Sequence, residues 1–153
     1  MACELGVDCI QPLQATRCTP QAEYKPERWQ LILKEAVEQC ERLWMPQLLP
    51  LASTDDAWSM PNSSDTLAIA TTRLEGISAL EPWLQRQTPG NNCIWLAIGP
   101  EGGWAPQEQA KAVKEGWSPI SLSEEILRSS TAAIAGVTAL SSWRRRSSAA
   151  EQL

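Results

Sequence analysis

The sequence predicts an α/β fold, a mostly parallel sheet flanked by helices on both faces. Three observations carry this. Apolar runs at residues 66–72, 93–98 and 119–122 alternate with helical patterns, the order that builds strand–helix–strand units. The run at 93–98 ends in Gly99-Pro100-Glu101-Gly102-Gly103-Trp104, and a helix start follows at Pro106. A strand, a glycine-rich turn and a helix in succession place a small-molecule site at the carboxyl ends of such a sheet. Finally, 153 residues with 43% hydrophobic and 20% charged content are enough for one domain with its own core.

Taken in order, residues 1–7 read as the remnant of a helix closed at Gly6. Residues 9–18 have β character around Ile10 and Leu13, although Pro12 argues against a central strand. Residues 19–24 read as a loop. Pro26 then opens the clearest helical pattern, with Trp29, Ile32, Leu33, Ala36, Val37, Cys40 and Leu43 recurring on one face. That spacing predicts a buried stripe, and Glu27, Lys34, Glu38, Glu41 and Arg42 fall on the solvated side. Residues 47–49 make a short extended piece between Pro46 and Pro50, and Ser53 ahead of Thr54, Asp55 and Asp56 predicts a capped helix. A turn at 61–65 leads into the strand at 66–72, a helix is expected at 76–85, and a turn at 88–92. In the glycine-rich stretch Pro100 fixes its own φ and pushes Gly99 towards an extended backbone, while Gly102 and Gly103 accept φ > 0. The helix at 106–115 has Pro106 in its first turn, Glu108 near the positive end of its dipole and Gly116 to close it. After the strand at 119–122, a last helix at 129–145 carries Ala132, Ala133, Ala135, Gly136 and Ala139, small enough for close backbone approach.

Composition removes several kinds of chemistry. With no histidine, neither a Ser-His-Asp triad nor a His-ligated metal is available. Cys3, Cys9, Cys18, Cys40 and Cys93 are odd in number and never form a Cys-x-x-Cys pair, which predicts reduced thiols in a cytoplasmic protein without a zinc site. No apolar run approaches the ~20 residues that span a bilayer, so no membrane is expected. The glycines match neither a dinucleotide fingerprint nor a P-loop. The net charge of −5 is unlike the basic surface that phosphate binding favours, and the one basic cluster is Arg144, Arg145 and Arg146. A solvated, helix-terminating run and an RNA contact both fit that cluster.

A second motif follows the first by about twenty residues: Leu122-Ser123-Glu124-Glu125-Ile126-Leu127-Arg128-Ser129-Ser130-Thr131-Ala132. With Ile98-Gly99-Pro100-Glu101-Gly102-Gly103-Trp104, it resembles the signature pair of the bacterial 16S ribosomal RNA uridine-N3 methyltransferases of the SPOUT superfamily. Glu4-Leu5-Gly6-Val7, Glu38, Gln39 and Arg42, and Met45-Pro46 extend the resemblance in order over nearly the whole chain. The resemblance implies a C-terminal trefoil knot, an exception to the rule that chains do not thread loops. It also implies S-adenosyl-L-methionine as cofactor, 16S ribosomal RNA of the small subunit as substrate, and a homodimer. Residues 1–153 correspond to one SPOUT methyltransferase domain, without the family's N-terminal PUA-like RNA-binding barrel. On matching positions the cofactor contacts are Ile98, Gly99, Gly102, Leu122, Ser123, Ile126, Leu127 and Thr131.

The acceptor in that reaction, a uridine N3–H, is a weakly acidic imide whose proton must leave and whose anion must be stabilised. Glu101 is the candidate for orienting the base or accepting the proton, and Arg128 for stabilising negative charge. A turn-stabilising carboxylate at Glu101 and a structural ion pair at Arg128 are the plainer roles for the same residues. The family commonly has glycine at the position of Ser123, a basic residue at Glu125 and an acidic one at Ser130. Ser123, Ser130 and the front domain not matched by this chain leave a second reading, a weakly active or inactive module that binds cofactor or associates with RNA.

Overall fold

The computed structural model describes residues 1–19, 24–72, 74–88, 90, 92–150, with side chains described as far as residue 147. Its centre is a four-stranded, all-parallel sheet built from β5 (Thr66–Ala70), β6 (Ser78–Ala79), β7 (Ile94–Ala97) and β8 (Ser118–Ser121), in the order β6-β8-β5-β7. The register sets Ile69 beside Ala97 and beside Pro119, so β5 lies between β7 and β8. Two short parallel pairs precede it: β1 (Cys9–Ile10) with β3 (Gln47–Leu48), and β2 (Leu13–Gln14) with β4 (Ala52–Ser53).

Period-two alternation in β5 and β7 serves two cores. Ile69 and Ala97 face Trp58, Trp104, Ala112 and Trp117, under α2 (Thr54–Ala57) and α4 (Pro106–Lys114). Ala68, Ile94 and Leu96 face Leu80, Trp83, Leu84 and Trp143, under α3 (Leu80–Gln85) and α5 (Ser129–Ala150). With no phenylalanine in the chain, tryptophans fill the first core, Trp58 meeting Trp104 and Trp117 edge-on at centroid distances of 5.3 and 5.0 Å. On the other face α5 crosses close to the sheet because Gly136 has no Cβ. A methyl there would lie 2.3 Å from Leu96 Cδ2.

Several expectations hold. Ser53 caps α2 by accepting from Asp56 N, and Gly116, at φ 91°, closes α4. Others are corrected. Residues 1–7 form a single hydrogen-bonded turn, closed at Gly6 with φ 99°. The helix expected at 76–85 is a strand, Ser78–Ala79, followed by a short helix. Pro82 explains this, since a helix begun at 76 would drive its ring into the carbonyl of residue 78. α1 (Pro26–Gln39) stops before Leu43, and Glu41 turns the chain with φ 55°. Of its predicted buried stripe only Leu33 is buried, whereas Trp29, Ile32 and Leu43 are exposed. Arg42 braces the N-terminal turn, donating to Cys3 O and Val7 O at 2.8 and 2.7 Å and pairing with Asp8. Of the sequence-based loop at 19–24 and turn at 88–92, residues 20–23, Pro89 and Asn91 lie outside the described residues. None of the described helices is long and apolar enough to cross a membrane.

Candidate functional site

Because β5, β7 and β8 are parallel neighbours, the segments that leave them emerge together at one edge of the sheet. Residue 71 follows β5, residues 98–105 lead from β7 to α4, and residues 122–128 lead from β8 to α5. A hydrogen bond joins the last two segments: Ser129 Oγ, in the first turn of α5, donates to Gly99 O at 2.7 Å. Between them sits Thr71, whose N–H donates to Ile120 O at 2.9 Å. Its side chain is buried, and Oγ1 has no partner among the described residues. That is an unusual state for a buried hydroxyl.

The loop after β7 is held from two sides. Trp104 Nε1 donates to Ala70 O at 2.9 Å, and its ring lies against Gly99, where an added Cβ would come within 3.1 Å. From the far side, Arg17 Nη1 donates to the carbonyls of Gly102 and Trp104 at 3.2 and 3.3 Å. Gly103 takes φ 69° and closes a turn onto Pro100 O. Beneath the loop, Glu108 is 5% exposed. Its carboxylate accepts from Thr16 N, Thr16 Oγ1, Thr54 Oγ1 and Ala105 N at 2.8 to 3.1 Å. The bond to Ala105 N is the half of a capping box that an alanine N-cap permits. Burial pushes the Glu108 carboxyl up, but the hydrogen bonds from Thr16, Ala105 and Thr54 outweigh it and hold the group below its ordinary 4.5.

A model of a family described as an RNA methyltransferase domain matches residues 1–141. The chain belongs to that family. Among curated proteins it is 37% identical over 142 residues to the ribosomal RNA small subunit methyltransferase E of a Synechocystis strain, covering 90% of this chain and 46% of that one. It is 33% identical over 143 residues to the enzyme of the same name from Buchnera aphidicola, covering 90% and 55%. The chain thus spans about half the length of the curated relatives it matches. Among solved structures, the ribosomal RNA small subunit methyltransferase E of Neisseria gonorrhoeae, bound to S-adenosyl methionine, superposes with a TM-score of 0.81 at 32% identity. That match covers 92% of this chain and 57% of the other.

Within this methyltransferase fold, the ten residues singled out in the sequence all lie on or beside the two joined loops. Ile98, Gly99, Leu122 and Leu127 are half-buried. Gly102, Ser123 and Thr131 are exposed, and so is Ile126 at 61%. Glu101 and Arg128 are exposed and make no ion pair among the described residues. The helix-capping carboxylate is Glu108, not Glu101. Of the two turn glycines only Gly103 has positive φ. Gly102 is bare because Arg17 lies on it, with Arg17 Cβ and Arg17 O at 3.0 and 3.2 Å from an added Cβ. Sequence reasoning passed over Ser129, Thr71 and Arg17 as site residues. Only Glu108 carried a local signal, as the third residue of a helix opened by proline. Arg144 is clasped by the carbonyls of Gly90 and Asn92, a structural use of the basic run.

Proposed function

We propose that this chain is the catalytic part of an S-adenosylmethionine-dependent methyltransferase acting on N3 of a uridine in 16S ribosomal RNA. The cofactor would lie between the loops at 98–103 and 122–131. The observation that carries the reading is the 2.7 Å bond from Ser129 Oγ to Gly99 O, which brings two sequence-distant motifs to one edge of the sheet. The bound S-adenosyl methionine of the Neisseria relative supports the choice of cofactor. The residues present fit such a group. Leu122, Ile126 and Leu127 offer apolar surface for a nucleoside, and the orphaned Thr71 Oγ1 is a hydroxyl awaiting a polar partner.

The cofactor supplies a methyl group already activated on a sulfonium, so neither a metal nor a nucleophilic side chain is required. What remains for the chain is to bind, orient and manage one proton. In this reading Ile98, Gly99, Gly102, Leu122, Ser123, Ile126, Leu127 and Thr131 form the cofactor cleft. Glu101, exposed on the same loop as Gly99, accepts or orients the N3 proton. Arg128, exposed just ahead of α5, faces the developing negative charge on the base. The family resemblance adds a C-terminal trefoil knot, a homodimer and a separate PUA-like RNA-binding domain acting with residues 1–153. Such a domain would supply the positive surface that a chain of net charge −5 lacks.

Two measurements test this. Calorimetric titration should give saturable binding of S-adenosylmethionine, and tritiated methyl transfer to undermethylated 30S particles should appear on a uridine. No heat at millimolar cofactor would end the reading. Binding without transfer, even with an RNA-binding domain supplied, would favour the inactive-module alternative that Ser130 suggests.

A further inference from the structure

Residues far from both motifs hold the glycine loop in place. Thr16 and Ala105 are both bonded to the Glu108 carboxylate, at 2.8 Å through Thr16 N and 2.9 Å through Ala105 N. Their chain neighbours, Arg17 and Trp104, are themselves joined by the Arg17 Nη1 bond to Trp104 O. One buried carboxylate therefore pins both strands of the contact at adjacent residues. Arg17 completes the contact by donating to Gly102 O while its backbone rests on the Gly102 α-carbon. An added Cβ on Gly102 would meet Arg17 Cβ at 3.0 Å and Arg17 O at 3.2 Å. The second of these is backbone, which gives way far less readily than the end of a side chain.

We propose that Arg17 is a positioning residue for the methyl-transfer site: seated by Glu108 through Thr16, it fixes the 99–104 loop, and Gly102 is glycine to receive it. The inference rests on the cofactor-site reading above and adds a duty for Gly102, which is the seat of Arg17 as well as part of the cleft. The loop acts on the cofactor through Gly99, whose carbonyl takes Ser129 and whose α-carbon lies on the Trp104 ring. Loss of the Arg17 clamp frees the Gly102 and Trp104 carbonyls and loosens the segment that holds Gly99 in register with α5. Small misplacements of a binding group have large effects on binding and rate.

The test is a double-mutant cycle on the 153-residue chain with Arg17→Ala, Gly102→Ala and both together, plus Arg17→Lys. Amide hydrogen exchange without ligand comes first. Arg17→Ala should speed exchange at residues 101–104 about tenfold while the exchange of β5 and β8 stays as in the parent, because an exposed clamp protects its own loop and not the core. Binding of S-adenosylmethionine, measured by calorimetry, should weaken about tenfold in Arg17→Ala and in Gly102→Ala, and scarcely further in the double variant. Arg17→Lys, which keeps one charged donor, should recover part of the loss. Unchanged exchange in Arg17→Ala overturns the proposal, and so does undiminished binding. Fully additive losses overturn it too, since Gly102→Ala would then act otherwise than through the Arg17 side-chain clamp. A parent chain that binds no cofactor overturns the site reading itself, and this inference falls with it. A parent that binds while Arg17→Ala binds equally well sinks the inference alone.

Discussion

The helices α1 and α4 look alike in sequence and end in opposite circumstances. Both open on proline, and both carry one apolar stripe opposite a charged face. α4 buries Ala112 against the sheet together with a carboxylate, Glu108, while its Val113 stays 48% exposed. α1 buries Leu33 alone, and leaves Leu31 57% and Ile32 51% exposed. Their ends differ as well. α4 closes through Gly116 at φ 91°, whereas α1 closes through Glu41 at φ 55°, a conformation in which a side chain is strained. The lesson is that apolar spacing states which residues share a face, not whether anything covers that face. Burial belongs to the partners. Glu108 gains three hydrogen bonds from two other segments and a fourth from the N-cap of its own helix, while Leu31 and Ile32 stay more than half exposed.

Variants can break this contrast, and Glu108 has the largest effect. Glu108→Ala leaves Thr16 N, Thr54 Oγ1 and Ala105 N without their acceptor, a loss of about 3 kcal/mol or more, read as a lower urea midpoint. A midpoint within error of the parent would mean that water reaches those groups and that the carboxylate is not a structural centre. Acid acts on the same group. The folded Glu108 carboxyl titrates below its ordinary 4.5, as Asp65 does below its ordinary 3.8. For Asp65 burial pushes upward, and donation from Trp95, Asn62 and Cys93 outweighs it. Depressed folded values mean that the stabilisation is complete above the unfolded carboxylate range and is lost as pH falls from there through the lower folded values. The parent should therefore lose stability below about pH 4, and Glu108→Gln should flatten that decline.

A middle-sized effect is expected at the end of α1. Glu41→Gly relieves a left-handed glutamate and should stabilise the chain by about 1 kcal/mol, seen as a higher urea midpoint; a destabilised variant would show that the Glu41 side chain is needed there. The smallest effect belongs to the exposed stripe. Ile32→Lys should shift stability by less than about 0.5 kcal/mol, because half of the side chain already faces solvent. A loss of 2 kcal/mol or more in the same denaturation assay would mean that something covers α1 in solution, and the contrast between the two helices would vanish.

Much was legible before any coordinates. The parallel strands follow from unbroken apolar runs, the α2 cap from Ser53, the end of α4 from Gly116, and the edge of the sheet proposed for the site from the glycine-rich turn after β7. These signals are local, because backbone dihedrals and capping groups act within a few residues. What the tertiary structure alone decided involves residues far apart. Ser129 meets Gly99 across 30 positions, and Thr16 meets Glu108 across 92. Neither pair leaves a periodicity to read. The same holds for the bare face of Gly102, which the sequence marks only as a glycine, and for the uncovered stripe of α1, whose spacing would be identical in a buried helix. Distances between remote segments depend on how the layers stack, and stacking is a property of the whole chain.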